Sequence, residues 1–109
     1  MMNRRVVITG MGIYSSIGVT LDEVRQSLYT GKSGIVIDQD RIEAGFKSPL
    51  TGMVPKPNLK DSLTRRQRIS IGEESEYAYL ATVQAFEQAK IDQDFLDSTE
   101  MLKTLIHLP

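Results

Sequence analysis

The 109-residue sequence contains no cysteine and a single histidine, His107. Without cysteine it has neither a disulfide framework nor a thiol nucleophile. One histidine excludes a multi-histidine metal site. Neither sign of charge dominates: 13 Lys and Arg stand against 14 Asp and Glu, for a net charge of −1. Such a chain has no overall attraction to nucleic acid or to an anionic membrane. No run approaches the ~18–20 apolar residues of a membrane span. Aromatics do not interleave with the arginines, which leaves only a weak case for stacking on single-stranded nucleic acid. These absences leave no expected metal or cofactor. Arg4 and Arg5 before an apolar run resemble the start of a signal peptide. However, Thr9, Gly10, Gly12, Ser15 and Ser16 interrupt the run and no small-residue cleavage site follows. A soluble, cytoplasmic chain is the expectation. With 40% hydrophobic and 25% charged residues, the composition fits one small globular domain.

What is present is concentrated in residues 4–18, RRVVITGMGIYSSIG. After Arg5 the run Val6-Val7-Ile8-Thr9 is β-branched and unbroken, which predicts a strand over residues 5–9 buried on both faces. Gly10, Gly12 and Gly18 follow within nine residues, and glycine serves where backbone passes close to another group. A buried strand, a glycine-punctuated turn and then a helix open a layered α/β domain.

Thr20 and Glu23 form a T-x-x-E capping box, and Leu21, Val24 and Leu28 follow at helical spacing. Gly31 and Gly34 stop that helix, and Gly34 to Ile37 reads as a short extended piece ending at Asp38. Residues 38–63 read as a long irregular excursion carrying Pro49, Pro55 and Pro57, with one brief extended piece from Leu50 to Val54. A second, longer helix begins between Thr64 and Glu73 and runs to about Lys90. Its apolar residues, Tyr77, Leu80, Val83 and Phe86 beside an alanine stripe, cover well over half the circumference. That predicts a central helix packed on more than one side. Asp92 to Asp97 predicts a turn or a single helical turn, and residues 101–109 are ambiguous between strand and helix.

Between Arg41 and Ser70 seven basic residues face two acids, whereas between Ile71 and Glu100 eight acids face one lysine. The plain reading is two solvated surfaces of opposite sign. The sharper one is that Arg65, Arg66 and Arg68 dock an acidic partner. Other motifs are weaker. Gly10-Met11-Gly12 after a strand, with Asp38 downstream, invites a dinucleotide-binding reading. Against it, Ser15 occupies the third glycine position and the helix signal starts only at Thr20. Gly31-Lys32-Ser33 sits where a helix ends, which makes it a C-cap rather than a phosphate loop. Ser15 and Ser16 lack the G-x-S-x-G context of a nucleophile.

The stretch RRVVITGMGIYSSIG, followed by TLDEVRQSLYTGKSGI, resembles the N-terminus of β-ketoacyl-acyl-carrier-protein synthases, the condensing enzymes of fatty-acid synthesis. The likeness continues into LTRRQRISIGEESEYAYLATVQAFEQAKI, which is similar to their first long core helix. It spans residues 4 to about 97 and is closer to the elongating type I and II enzymes than to the initiating kind. Residues 1–97 then correspond to the first part of the synthase N-terminal domain, and 98–109 to a divergent tail that looks truncated or frameshifted.

The resemblance implies a thiolase-like fold, layered α-β-α-β-α and incomplete in this chain, in two pseudo-symmetric halves and a homodimer. It implies a decarboxylating Claisen condensation in which a cysteine takes the acyl chain and two histidines assist malonyl-carrier. Those three residues lie downstream of the matched segment in the family, and His107 matches neither histidine. The resemblance therefore implies an acyltransferase family but no catalytic residue here and no condensing activity from this chain alone. It also implies that Arg65 and Arg66, with Arg68 beside them, meet an acidic acyl carrier protein bearing phosphopantetheine-linked acyl chains. A carrier-binding remnant without catalysis and a small dinucleotide-binding module are the alternatives.

Overall fold

The computed structural model describes residues 3–98. Its elements are α1 (Leu21–Thr30), β1 (Ile35–Ile37), α2 (Gln39–Glu43), β2 (Leu50–Gly52), α3 (Arg65–Ser70), α4 (Glu73–Ala89) and α5 (Gln93–Ser98). His107 and the apolar tail from residue 101 lie outside the described residues.

The first helix forms as its end signals require. The Thr20 hydroxyl accepts the Glu23 amide at 3.2 Å, and the Glu23 carboxylate accepts the Val19 amide at 2.7 Å. The reciprocal cap thus reaches one residue further back than the standard box. At the other end Gly31 takes φ 68°. The Gly31 and Lys32 amides close onto the carbonyls of Leu28 and Ser27, a Schellman ending. Ser27, one of two buried residues among those described, donates its hydroxyl to the Ile17 carbonyl and ties α1 to the preceding turn.

The excursion from 38 to 63 is less irregular than its composition predicts. β1 and β2 pair antiparallel, with Ile35 opposite Gly52 and Ile37 opposite Leu50. Between them Asp38 caps the short α2 by accepting the Asp40 amide. Gly34 and Gly52 lie over Ser16, which seats this hairpin on the glycine-rich turn.

The region read as one long helix is two. α3 ends at Ser70, Ile71 is extended (φ −110°, ψ 143°), and Gly72 caps α4. Glu73, Glu74 and Glu76 then occupy the positive end of α4.

Residues 10–14 lie against α4. A Cβ on Gly10 would fall 2.1 Å from the Ala85 carbonyl oxygen, and one on Gly12 would fall 1.7 Å from that of Ala81. Two residues of this segment thus match four of the helix. Four helical residues rise ~6 Å, which two residues cover only when extended. Two glutamines fix this register: Gln88 Oε1 accepts the Met11 amide at 2.7 Å and Gln84 Oε1 accepts the Ile13 amide at 3.2 Å. Gln84 Nε2 also donates to the Val19 carbonyl at 2.6 Å.

Running backwards from Gly10, the segment passes the C-terminal end of α4. This corrects the expectation of a buried strand over residues 5–9. Val6, Val7 and Ile8 are 96%, 67% and 83% exposed, and no strand is assigned there. Their composition suits burial, but among the described residues nothing reaches them. The same shortage leaves the apolar circumference of α4 only partly covered. α4 is touched by residues 10–14 on one side and lies near α3 on another, yet no residue of it is fully buried. Leu59 is the only buried apolar residue described.

The accessible surface is 9,539 Å², whereas a compact monomer of this 12.2 kDa mass exposes about 6,000 Å². The radius of gyration is 18.5 Å, against ~13 Å for a compact 109-residue body. The chain is a mixed α/β layer with its apolar side largely open. No helix of the described residues is long and apolar enough to cross a membrane.

Candidate functional site: a basic helix start

Helix α3 exists because of its cap. The Thr64 hydroxyl accepts the Gln67 amide at 3.3 Å, and Gln67 Oε1 accepts the Thr64 amide at 2.9 Å. With six residues the helix has little cooperative stability of its own, so this reciprocal cap carries much of it. Arg65 and Arg66 occupy its first two positions, where no acid is present. Cations at the positive end of a helix are disfavoured by the helix dipole. Their placement therefore does nothing for α3 and leaves two guanidinium groups standing on the surface.

The three predicted arginines do not behave alike. Arg65 and Arg66 are exposed. Arg68 is half-buried, and its Nε is buried with no hydrogen-bond partner. Arg65 and Arg68 share a helix face by their spacing of three, whereas Arg66 lies about 100° around the axis. The one ion pair among the described residues is Arg25–Asp22 at 3.2 Å. None of the three arginines is therefore neutralised by a carboxylate of the described chain, and their positive field reaches solvent.

Behind α3, a cavity of about 430 Å³ separates it from α4, lined by Leu63, Gln67, Ile71, Ala78, Tyr79 and Thr82 among others. Tyr79 is its only titratable wall, so it offers no acid–base pair. The stretch leading into α3 is pinned from α4. The rings of Tyr14 and Tyr77 stack at 5.5 Å, and the Tyr14 hydroxyl donates to the Pro55 carbonyl at 2.9 Å. Partial burial pushes the Tyr77 phenol above its ordinary value. The Glu73 carboxylate, which also accepts its hydrogen bond, adds to the shift.

Elsewhere the geometry removes candidate chemistry. Ser15 donates its hydroxyl to the Gly18 carbonyl at 2.9 Å, inside a tight turn. Gly10 and Gly12 pack closest on the carbonyl oxygens of Ala85 and Ala81, late in α4 and not at its N-terminus. Carbonyl oxygens repel a pyrophosphate, so the close approach that needs glycine is to a helix, not a nucleotide. Gly31-Lys32 is a helix ending, as its position in the sequence indicates. No group of three or more Asp, Glu or His residues converges among the described residues.

The residues missed by pattern reading are Gln84 and Gln88. They interrupt an apolar helix, and two polar residues one turn apart beside the alanine stripe are the available signal.

Comparison with known proteins places this layer. The profile of the beta-ketoacyl synthase N-terminal domain matches residues 3–105. The chain is 38% identical over 92 residues to 3-oxoacyl-[acyl-carrier-protein] synthase 1 of Buchnera aphidicola subsp. Acyrthosiphon pisum, covering 84% of this chain and 22% of that protein. It is 40% identical over 91 residues to the synthase 1 of Haemophilus influenzae, with the same coverage. It is 28% identical over 92 residues to 3-oxoacyl-[acyl-carrier-protein] synthase 2 of Vibrio cholerae. The chain thus matches about a fifth of the length of these relatives.

Proposed function

This chain belongs to the beta-ketoacyl synthase N-terminal domain family, and from that premise we propose that it is the opening layer of a 3-oxoacyl-acyl-carrier-protein synthase of fatty-acid biosynthesis. It supplies structure and a carrier-docking surface, and the chemistry is done elsewhere. The observation that carries this reading is a family match over 3–105 in a chain without cysteine and with His107 as its sole histidine. A thiolate that accepts an acyl chain, and the imidazoles that assist decarboxylation, have no candidate among the described side chains. The open apolar side of the layer is then the face that the remainder of a thiolase-like, homodimeric synthase covers.

Arg65 and Arg66 are the docking residues of the proposal. Two exposed guanidinium groups without internal partners suit the acidic face of an acyl carrier protein. Such charge complementarity raises the encounter rate more than the final affinity. Arg68, half-buried, contributes field rather than direct contact and helps to seat α3.

The test is stopped-flow binding of fluorescently labelled malonyl-acyl-carrier-protein to the chain at low ionic strength. The R65E/R66E variant should associate about tenfold more slowly, and the difference should shrink as salt is raised. Equal rates at low salt would remove the docking role. Carbon dioxide released from malonyl-carrier by the purified chain would overturn the division between scaffold and chemistry.

A further inference from the structure

Between β2, which ends at Gly52, and α3, which starts at Arg65, no helix or strand intervenes. Whatever holds this connection sets where Arg65 and Arg66 stand. Pro55 and Pro57 restrict its backbone but have no amide to anchor it. Near its end Leu59 is buried, and its carbonyl accepts the Ser62 amide at 3.2 Å and the Leu63 amide at 2.9 Å. That turn leads directly into the Thr64 cap of α3. Ahead of it the Pro55 carbonyl accepts the Tyr14 hydroxyl at 2.9 Å. Among the described residues, no other hydrogen bond joins residues 54–63 to a distant part of the chain.

Tyr14 is itself fixed. Its ring lies on that of Tyr77 in α4, with centroids 5.5 Å apart and planes within 11°. The neighbouring Ile13 amide is held by Gln84 Oε1 at 3.2 Å. Tyr14 is thus a rigid post on α4, and its hydroxyl holds the approach to α3.

We propose, resting on the docking role of Arg65 and Arg66, that Tyr14 is its positioning residue: by holding the Pro55 carbonyl, the hydroxyl presets where α3 presents the two arginines. A six-residue helix has little stability of its own. With Pro55 released, the arginines must be ordered at the moment of docking. A preset helix avoids that cost, and the saving appears in how long the complex lasts. The field that guides encounter depends on charge, and removing the hydroxyl leaves every Lys, Arg, Asp and Glu in place. Charge and position therefore separate kinetically. The arginines act on association, and Tyr14 acts on dissociation.

Tyr14→Phe in the full chain keeps the ring on Tyr77 and removes only the donor. Ser15→Ala is its control. It removes a hydroxyl bond of the same 2.9 Å length from the next residue, but that bond closes on Gly18 within a local turn. In the free chain, amide exchange at Ser62 and Leu63 should rise about threefold to fivefold in Tyr14→Phe, as one exposed hydrogen bond is lost. It should stay at the parent rate in Ser15→Ala. Stopped-flow with fluorescently labelled malonyl-acyl-carrier-protein at low ionic strength reads the docking. Tyr14→Phe should keep the parent association rate and dissociate about threefold to fivefold faster. R65E/R66E should instead slow association. Parent-like exchange and dissociation in Tyr14→Phe, while R65E/R66E still slows association, would overturn the positioning role and leave docking intact. Equal effects of Ser15→Ala and Tyr14→Phe would overturn it as general loosening of the segment. Faster exchange with unchanged dissociation would overturn it as a tether that does not serve docking. Unchanged association in R65E/R66E would remove docking itself, and the positioning role with it.

Discussion

Replacing Gly12 by alanine is the sharpest perturbation of the joint between the N-terminal segment and α4. The new methyl would fall 1.7 Å from the Ala81 carbonyl oxygen, about half an ordinary contact distance. That oxygen belongs to helix backbone and cannot swing aside, so the segment itself must lift by well over 1 Å. The lift stretches the Gln84–Ile13 bond, already 3.2 Å, beyond bonding range, and strains the Gln84–Val19 bond as well. Overpacking costs about 1–3 kcal/mol and each lost hydrogen bond about 1 kcal/mol. Together they come to roughly 3 kcal/mol or more, about a hundredfold shift toward the detached segment. Amide hydrogen exchange is the assay, read at Met11 and Ile13, because local opening is what the substitution promotes. Both amides should lose protection by about two orders of magnitude. Gly52→Ala is the control: its Cβ would meet nothing closer than 3.6 Å, so exchange should change little. If Gly12→Ala behaves like Gly52→Ala, the segment does not sit on α4 as described.

Three further outcomes follow from the same contacts. Gln84→Ala removes partners from the Ile13 amide and the Val19 carbonyl; it should destabilise the joint by about 2 kcal/mol, seen as faster exchange at Ile13. Thr64→Ala removes one half of the cap on α3; it should cost about 1 kcal/mol and fray Arg65 and Arg66, measured by helical chemical shifts over residues 65–70. Tyr77, whose ionisation is pushed up by partial burial and by Glu73, favours its protonated form in the fold. Its stabilising contribution is complete below pH ~10 and is lost as pH rises through its folded value. Ultraviolet titration of tyrosinate against the Tyr77→Phe background should find it ionising above the ordinary range. Glu73→Gln should lower it only part of the way, because burial is the larger cause.

Local signals in the sequence proved readable where the physics is local. Thr20, Glu23 and Gly31 bound α1 because caps act within four residues, and the Leu50 piece pairs with Ile35–Ile37 as a short extended run can. Arg65 and Arg66 stand out in the sequence as part of a basic cluster, and both are exposed. What could not be read is what depends on a partner. Val6 to Ile8 have the composition of a buried strand, but burial is conferred by a neighbour, and no described element reaches past the end of α4. The break at Ile71-Gly72 was blurred because Ile71 fits the apolar pattern on either side of it. Asp38 stands where a ribose-binding acid would, whereas it caps α2. Gln84 and Gln88 were hidden for a different reason: their partners are backbone amides some seventy residues away, which no periodicity encodes.

The central claim is that this chain is an open layer whose apolar side awaits cover. Small-angle X-ray scattering, extrapolated to zero concentration so that association does not contribute, tests it most directly. A radius of gyration near the 18.5 Å of the structure is expected. A value near ~13 Å, that of a closed globule of this length, would contradict it.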